Sequence, residues 1–157
     1  MPAGQVDLET RVTDADHTAL RLWLRLLTCT NLIEADVRRR LRARFASTLP
    51  RFDLLAQLER SHEGLRMSEL SRRLMVTGGN ITGLTEQLVA EGWLTRDPDP
   101  ADRRATRVRL TRHGRQRFAA MAGEHERWVR DLLAPLSRDE QKTLLALLGK
   151  LKAGIGP

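Results

Sequence analysis

The chain has 157 residues, 41% hydrophobic and 30% charged, with a net charge of +7. That length fits one domain, and the composition sets aside a disordered chain. One cysteine, Cys29, sets aside a disulfide framework or cysteine-rich zinc site, and no apolar run approaches the ~18 residues that cross a bilayer.

Residues 1–18 carry four acids against one arginine and lack a basic, apolar leader pattern, so a cytoplasmic protein is expected. Residues 17 to 45 read as one long helix. Leu20, Trp23, Leu26, Leu27, Thr30, Ile33, Val37, Leu41 and Phe45 recur at steps of three and four, with no Gly or Pro between them. Thr48 is placed to cap a second helix, with Pro50 in its first turn and Gly64 near its end. A third short helix is predicted over Ser68–Leu74, a tight connection at Met75-Val76-Thr77, and a fourth helix from Gly78 to Glu91, stopped by Gly92. The period then changes from helical to alternating. Trp93–Arg96 and Thr106–Leu110 read as two strands of a hairpin, joined through Asp97-Pro98-Asp99-Pro100 and an arginine-bearing tip. Thr111 can cap a fifth helix reaching about Leu133, Pro135 breaks it, and Ser137-Arg138-Asp139-Glu140 is a capping box for a sixth. Leu144, Leu145, Leu147, Leu148 and Leu151 give that last helix an apolar stripe.

The predicted fold is therefore mainly α with a small β-hairpin wing, a winged helix-turn-helix in a single domain over 1–157. Residues 48–111 form the winged region. Residues 17–47 and 112–153 carry more apolar stripe than one small core needs, which predicts dimerisation through the terminal helices and a homodimer. The basic excess falls in 19–47, with seven arginines against two acids, and in 66–117, with eleven against six. Two basic stretches suit a polyanion partner; a solvated arginine-rich surface is the bland alternative.

The third and fourth helices, joined by three residues, match the helix-turn-helix pattern, whose second helix lies in the major groove. At ~100° per residue Ile81, Leu84 and Leu88 turn inward, while Gly79, Asn80, Gly83, Glu86 and Gln87 turn outward. Asn80 and Gln87 suit bidentate reading of adenine, and Thr77 and Thr82 can bond phosphate or bases near the helix start. Gly78, Gly79 and Gly83 make a poor helix start. Two reasons remain open: close packing between helices, or close approach of the backbone to DNA.

After this helix-turn-helix, Asp102-Arg103-Arg104-Ala105-Thr106-Arg107-Val108-Arg109-Leu110-Thr111 fits the spaced pattern D-x-R-x-x-x-V-x-L-T. This resembles the wing of the MarR family of transcription regulators. The match runs upstream through Leu88-Val89-Ala90-Glu91-Gly92-Trp93-Leu94, Asn80-Ile81-Thr82 and Ser68-Glu69-Leu70-Ser71. The resemblance implies a dimer reading a pseudo-palindromic operator in double-stranded DNA, usually as a repressor, with no enzymatic activity and no cofactor. It also implies that Arg104 enters the minor groove, that Asp102 holds the wing by pairing with a nearby arginine, and that Arg103 and Arg107 contact phosphate or support the tip. Thr48–Asp53 and the turn Val76-Thr77-Gly78-Gly79-Asn80 resemble a subgroup that includes regulators answering to aromatic acids or hydroxycinnamoyl thioesters of coenzyme A. With the two tryptophans this sketches a pocket of Trp23, Arg51, Phe52 and Trp128 for a small anionic aromatic effector. Trp23 and Trp128 have the alternative of core or dimer-interface residues.

The arginines at 38, 39, 40, 42 and 44 can meet an anionic ligand or the acids of a partner chain, or be plainly solvated. His17, His62, His113 and His125 lack a metal-ligand spacing and read as surface or packing residues. Cys29 carries a rival reading, a peroxide-sensing regulator. The absence of any tyrosine and an apolar helix around it favour a buried, inert thiol. A winged-helix module that binds no DNA is the second rival, since fold does not fix function; the arginine cluster of the wing argues against it.

Overall fold

A computed structural model describes residues 17–74 and 80–156. Along the chain come α1 (Thr18–Phe45), α2 (Leu49–Glu59), β1 (Leu65–Arg66), α3 (Met67–Arg73), α4 (Ile81–Ala90), β2 (Leu94–Pro98), β3 (Thr106–Leu110), α5 (Arg112–Leu132) and α6 (Arg138–Ile155). The result is mainly α with a small antiparallel sheet in the order β1-β3-β2.

The helix starts are set by side chains that satisfy otherwise orphaned backbone N–H groups. Thr48 accepts from the Arg51 N–H, Thr111 from Gly114, and Ser137 from Glu140, whose carboxylate reaches back to the Ser137 N–H. α1 ends at Ala46, which takes the left-handed conformation (φ 48°) and returns its N–H to the Arg42 carbonyl. That corner turns the chain directly into α2, with Ser47 buried between them.

The sequence predicts a two-stranded hairpin, and the structure adds a third strand. Leu65 and Arg66 pair with Val108 and Arg107 of β3. Two residues carry no readable alternation, so only tertiary pairing reveals them. The strand matters because it ties the start of α3 to the wing.

The core gathers α2 (Phe52, Leu54, Leu55, Leu58), Leu70, Leu88, Leu94, Val108 and the α5 residues Phe118, Met121 and Trp128. Of the 28 residues of α1 only Val37 and Leu41 are buried, and none of α6 is. Leu20, Leu22, Trp23, Leu27 and Leu32 on α1 and Leu144, Leu145, Leu147, Leu148 and Leu151 on α6 stand exposed. No helix among the described residues is long and apolar enough to cross a membrane.

Candidate nucleic-acid interface

The fourth helix starts later than its sequence suggests. It begins at Ile81, and Asn80 is its cap, with Oδ1 accepting from the Gly83 N–H at 3.0 Å. Asn80 is thus partly committed: the oxygen that a bidentate contact to adenine would use already accepts a backbone bond. Gly83 acquires a local reason as well. A Cβ there would lie 2.8 Å from the Asn80 amide nitrogen and would displace the capping side chain. Thr77, Gly78 and Gly79 lie outside the described residues.

Thr85 and Leu88 face the core, with Ile81 and Leu84 packed against it, and Thr85 returns its hydroxyl to the Ile81 carbonyl. The outward surface presents exposed Thr82, Glu86 and Gln87 with the half-buried Gly83. At ~100° per residue Thr82 and Gln87 fall on opposite flanks of that surface. Each flank opens into a cleft. On the wing side, a cleft of about 340 Å³ joins Thr82 to Arg66, Arg96 and Arg104. On the other side, a cleft of about 520 Å³ joins Asn80, Gly83 and Gln87 to Arg38 and Arg42 of α1 and to Ser47 and Thr48. Neither lining includes an acidic residue.

The wing is built around a carboxylate that sequence reasoning missed. Asp99 is fully buried. Its Oδ2 accepts from Arg66 Nε at 3.0 Å and from Arg107 Nε at 3.0 Å, and its Oδ1 accepts from the Ala101 N–H at 2.8 Å and the Asp102 N–H at 3.1 Å. The hydrogen bond from Arg66, joined by those from the two backbone N–H groups and from Arg107, holds the Asp99 carboxyl well below the usual carboxylate range against the opposing effect of burial. Arg107 also donates to the carbonyls of Glu63 and Gly64. One carboxylate therefore fastens the wing loop to β1 and to the turn before it.

Two expectations shift as a result. The arginine pairing expected of Asp102 belongs to Asp99. Asp102 instead shapes the tip locally, its Oδ1 accepting from the Arg104 N–H at 3.0 Å and its carbonyl from Ala105. Arg107 is engaged as a support, bonded to Asp99 and to the carbonyls of Glu63 and Gly64. Arg103 and Arg104 stand exposed at the tip. The sequence showed Asp97-Pro98-Asp99-Pro100 only as a turn signal; the partner of Asp99 in β1 lies 33 positions away, beyond any local pattern.

The sketched effector residues do not come together. Trp23 is 56% exposed near the start of α1, whereas Trp128 is buried against Phe45, their rings 6.2 Å apart. Arg51 makes two hydrogen bonds to Glu91 at the end of α4 and lies over the Trp93 ring at 5.4 Å. It fixes α2 to the recognition helix, and its hydrogen bond keeps the Glu91 carboxyl below its usual range. Of the four, Phe52 lines a cleft of ligand size. That cleft, about 430 Å³, lies between α1, α2 and α5 and includes His125, Glu34, Asp53, Arg60 and Arg73. The imidazole of His125 stacks on Phe52 at 4.6 Å, and burial lowers its pKa. Burial first, then the neighbouring Glu34, raises that of Asp53. Cys29, expected buried, is exposed, on a stretch of α1 where no residue before Val37 is buried. No cluster of His, Cys, Asp and Glu able to hold a metal occurs among the described residues.

Comparison with known proteins agrees with this geometry. A model of the MarR family matches residues 47–106, from the corner before α2 through α4 and β2 to the start of β3. The chain is 34% identical over 103 residues to the HTH-type transcriptional regulator PecS of Dickeya dadantii, covering 64% of this chain and 62% of PecS. It is 32% identical over 106 residues to the transcriptional activatory protein BadR of Rhodopseudomonas palustris, covering 66% and 60%. The chain thus spans a little under two thirds of these curated relatives. A MarR family transcriptional regulator from Silicibacter pomeroyi superposes with a TM-score of 0.71 at 31% identity, covering 90% of this chain and 99% of that one. A MarR family regulator of Streptomyces coelicolor, solved in complex with DNA, superposes with a TM-score of 0.73 at 24% identity, covering 94% and 92%.

Proposed function

The chain belongs to the MarR family of transcription regulators, and from that premise we propose that it is a homodimer that binds a pseudo-palindromic DNA operator and represses the promoter it covers. The observation that carries this reading is the joint surface of α4 and the wing. The outward face of α4 meets Arg104 across one acid-free cleft, so a helix seated in a major groove would carry the wing tip to the adjacent minor groove. Asp99 fixes that aim before DNA arrives, and Arg103 and Arg104, exposed at the tip and with no acidic partner among the described residues, would meet phosphate or a narrow minor groove.

Dimerisation is supported by the two exposed apolar rows on α1 and α6. Buried on one another in a two-fold pair, they would leave the two recognition helices fixed relative to each other, which a split operator requires. Release of DNA is assigned to a small anionic aromatic ligand in the cleft between α1, α2 and α5. Its ring would stack on Phe52 and His125, and its carboxylate would meet Arg60 or Arg73. Because that cleft touches α2 and also α1, which carries one of the two dimerising rows, a ligand there can favour one spacing of the winged regions over another.

The test is to sequence the DNA fragments that purified protein retains from a fragmented bacterial genome, and then to challenge the complex with hydroxycinnamates, benzoates and their coenzyme A thioesters. The reading requires enriched inverted repeats and release by at least one of these acids. Retention of random fragments would remove the sequence-specific function. Release by peroxide alone, lost in Cys29→Ser, would replace the aromatic effector with the thiol.

A further inference from the structure

Two arginine-bearing clefts flank the recognition helix, and only the wing-side one is accounted for by the helix-turn-helix and wing. The other is formed where α1 meets α2. Arg42 lines it and has no acidic partner among the described residues, and Arg38 makes an exposed pair with Glu34 one helical turn back and has a lesser charge interaction with Asp53. The first turns of α2 and α4, capped by Thr48 and Asn80, both open onto it, so two sets of helix-start N–H groups add positive potential. Ser47 lies in its lining, 3% exposed, with a buried hydroxyl that has no hydrogen-bond partner among the described residues. Such a cleft carries two arginines and no acidic residue of its own to repel an anion.

What occupies it follows from its place. A major groove is bounded on each side by a phosphate backbone and is about 12 Å wide, the width of one helix with its side chains. A helix seated in it therefore meets one strand on each flank. Thr82, Arg66, Arg96 and Arg104 serve one flank of α4, and the α1 cleft lies along the opposite flank, beside Gln87. We propose that this cleft takes a backbone phosphate of the second strand through Arg42, Arg38 and Ser47, so that α1 positions the DNA as well as carrying the dimer contact. The inference rests on the DNA-binding reading above. It also gives the basic run of α1 a function that its sequence left open.

A contact to phosphate carries no sequence information, so the experiment can use a mixed-sequence duplex of about 30 base pairs, long enough for two half-sites a turn apart. Affinity is measured against salt for the full-length wild type, Arg42→Gln and Arg39→Gln. Arg39 is a neighbouring α1 arginine paired with Asp36 and absent from the cleft. Each lost phosphate contact should flatten the log–log salt slope by about 0.9, hence about 1.8 for a two-fold dimer. Arg42→Gln should show that change and bind roughly tenfold or more weakly at low salt, while Arg39→Gln keeps the wild-type slope. On a fragment enriched by the protein, Arg42→Gln should lose the same factor as on mixed sequence, leaving their ratio unchanged. A wild-type slope in Arg42→Gln overturns the proposal while leaving the DNA-binding function intact; wild type that binds neither duplex removes that function itself. In a separate arm, inorganic phosphate is titrated into DNA-free protein at constant ionic strength. Thermal stabilisation at low millimolar phosphate, lost in Arg42→Gln, would assign the cleft to a free anion instead of the DNA backbone, and its absence supports the assignment to DNA.

Discussion

The same substitution at two positions of α5 should have opposite signs. Gly114 sits in the first turn, buried against the strand that begins the wing. A Cβ built there lies 2.0 Å from the Trp93 carbonyl oxygen and 2.8 Å from its carbon. Ordinary contact needs about 3.4 Å, so α5 and β2 must part by more than an ångström. That carbonyl also accepts the Thr111 N–H at 3.0 Å, and the Thr111 hydroxyl donates to the Gly92 carbonyl at 2.7 Å. Overpacking of this kind costs about 1–3 kcal/mol, a disturbed hydrogen bond adds about 1 kcal/mol, and the gain in helix propensity is small in a first turn. Gly114→Ala should therefore lose about 3 kcal/mol, roughly 6–12 °C in midpoint for a chain of this size. Gly123, in the middle of the same helix, is exposed with nothing within 4 Å of a built Cβ. There only propensity counts, and Gly123→Ala should gain up to about 1 kcal/mol. Thermal unfolding followed by circular dichroism, at one fixed protein concentration because dimerisation shifts the midpoint, gives both values. Equal stability of Gly114→Ala and wild type, or a common sign for the two variants, would refute the packing argument.

Arg104→Ala should weaken operator binding by about 1–3 kcal/mol with the oligomeric state unchanged in light scattering, since the exposed tip belongs to neither terminal helix. Replacing Leu147 and Leu151 together with Glu should yield monomers with little affinity for a two-half-site operator, because charge would be stranded in the contact; a dimer that survives would place the interface elsewhere. The stability of the folded chain should also depend on His125. Its folded pKa lies below the ordinary value of about 6.5 because the ring is buried, so the unfolded chain binds the proton more readily. Its contribution is complete above about pH 6.5 and is lost as the pH falls from there toward the folded pKa. His125→Gln should flatten that part of a denaturant-midpoint profile, and an unchanged profile would show that the burial has no such consequence.

Much of the architecture is legible locally. Thr48, Thr111 and Ser137 announce helix starts because capping is a contact between residues three apart. Gly92 (φ 78°) announces a stop because few other residues adopt that backbone. The apolar rows of α1 and α6 are visible in the period alone. What stays hidden depends on distant partners. Leu65–Arg66 is a strand only because β3 arrives beside it, and Asp99 is a wing anchor only because Arg66 lies within reach in space. Asn80 is ambiguous for a different reason. Its residue type suits both a cap and a base contact, and the place where the helix begins reveals the cap. Trp23 and Trp128 share an attractive residue type, yet one faces outward on α1 and the other is packed inside against Phe45.

The anchoring of the wing by Asp99 divides labour along one short loop. Direction is set from within, by a carboxylate and two arginines that need not touch a nucleotide. Under the proposed function the reading would fall to Arg103 and Arg104, which are exposed and form no part of that anchor. The tip can therefore change its chemistry without changing its trajectory, so substitutions at 103 and 104 can retune which groove widths and base pairs are preferred while the folded frame keeps its shape. A lineage of such proteins could explore new operators through two solvent-facing codons, with the inherited bearing of the loop held constant by an aspartate that never meets solvent.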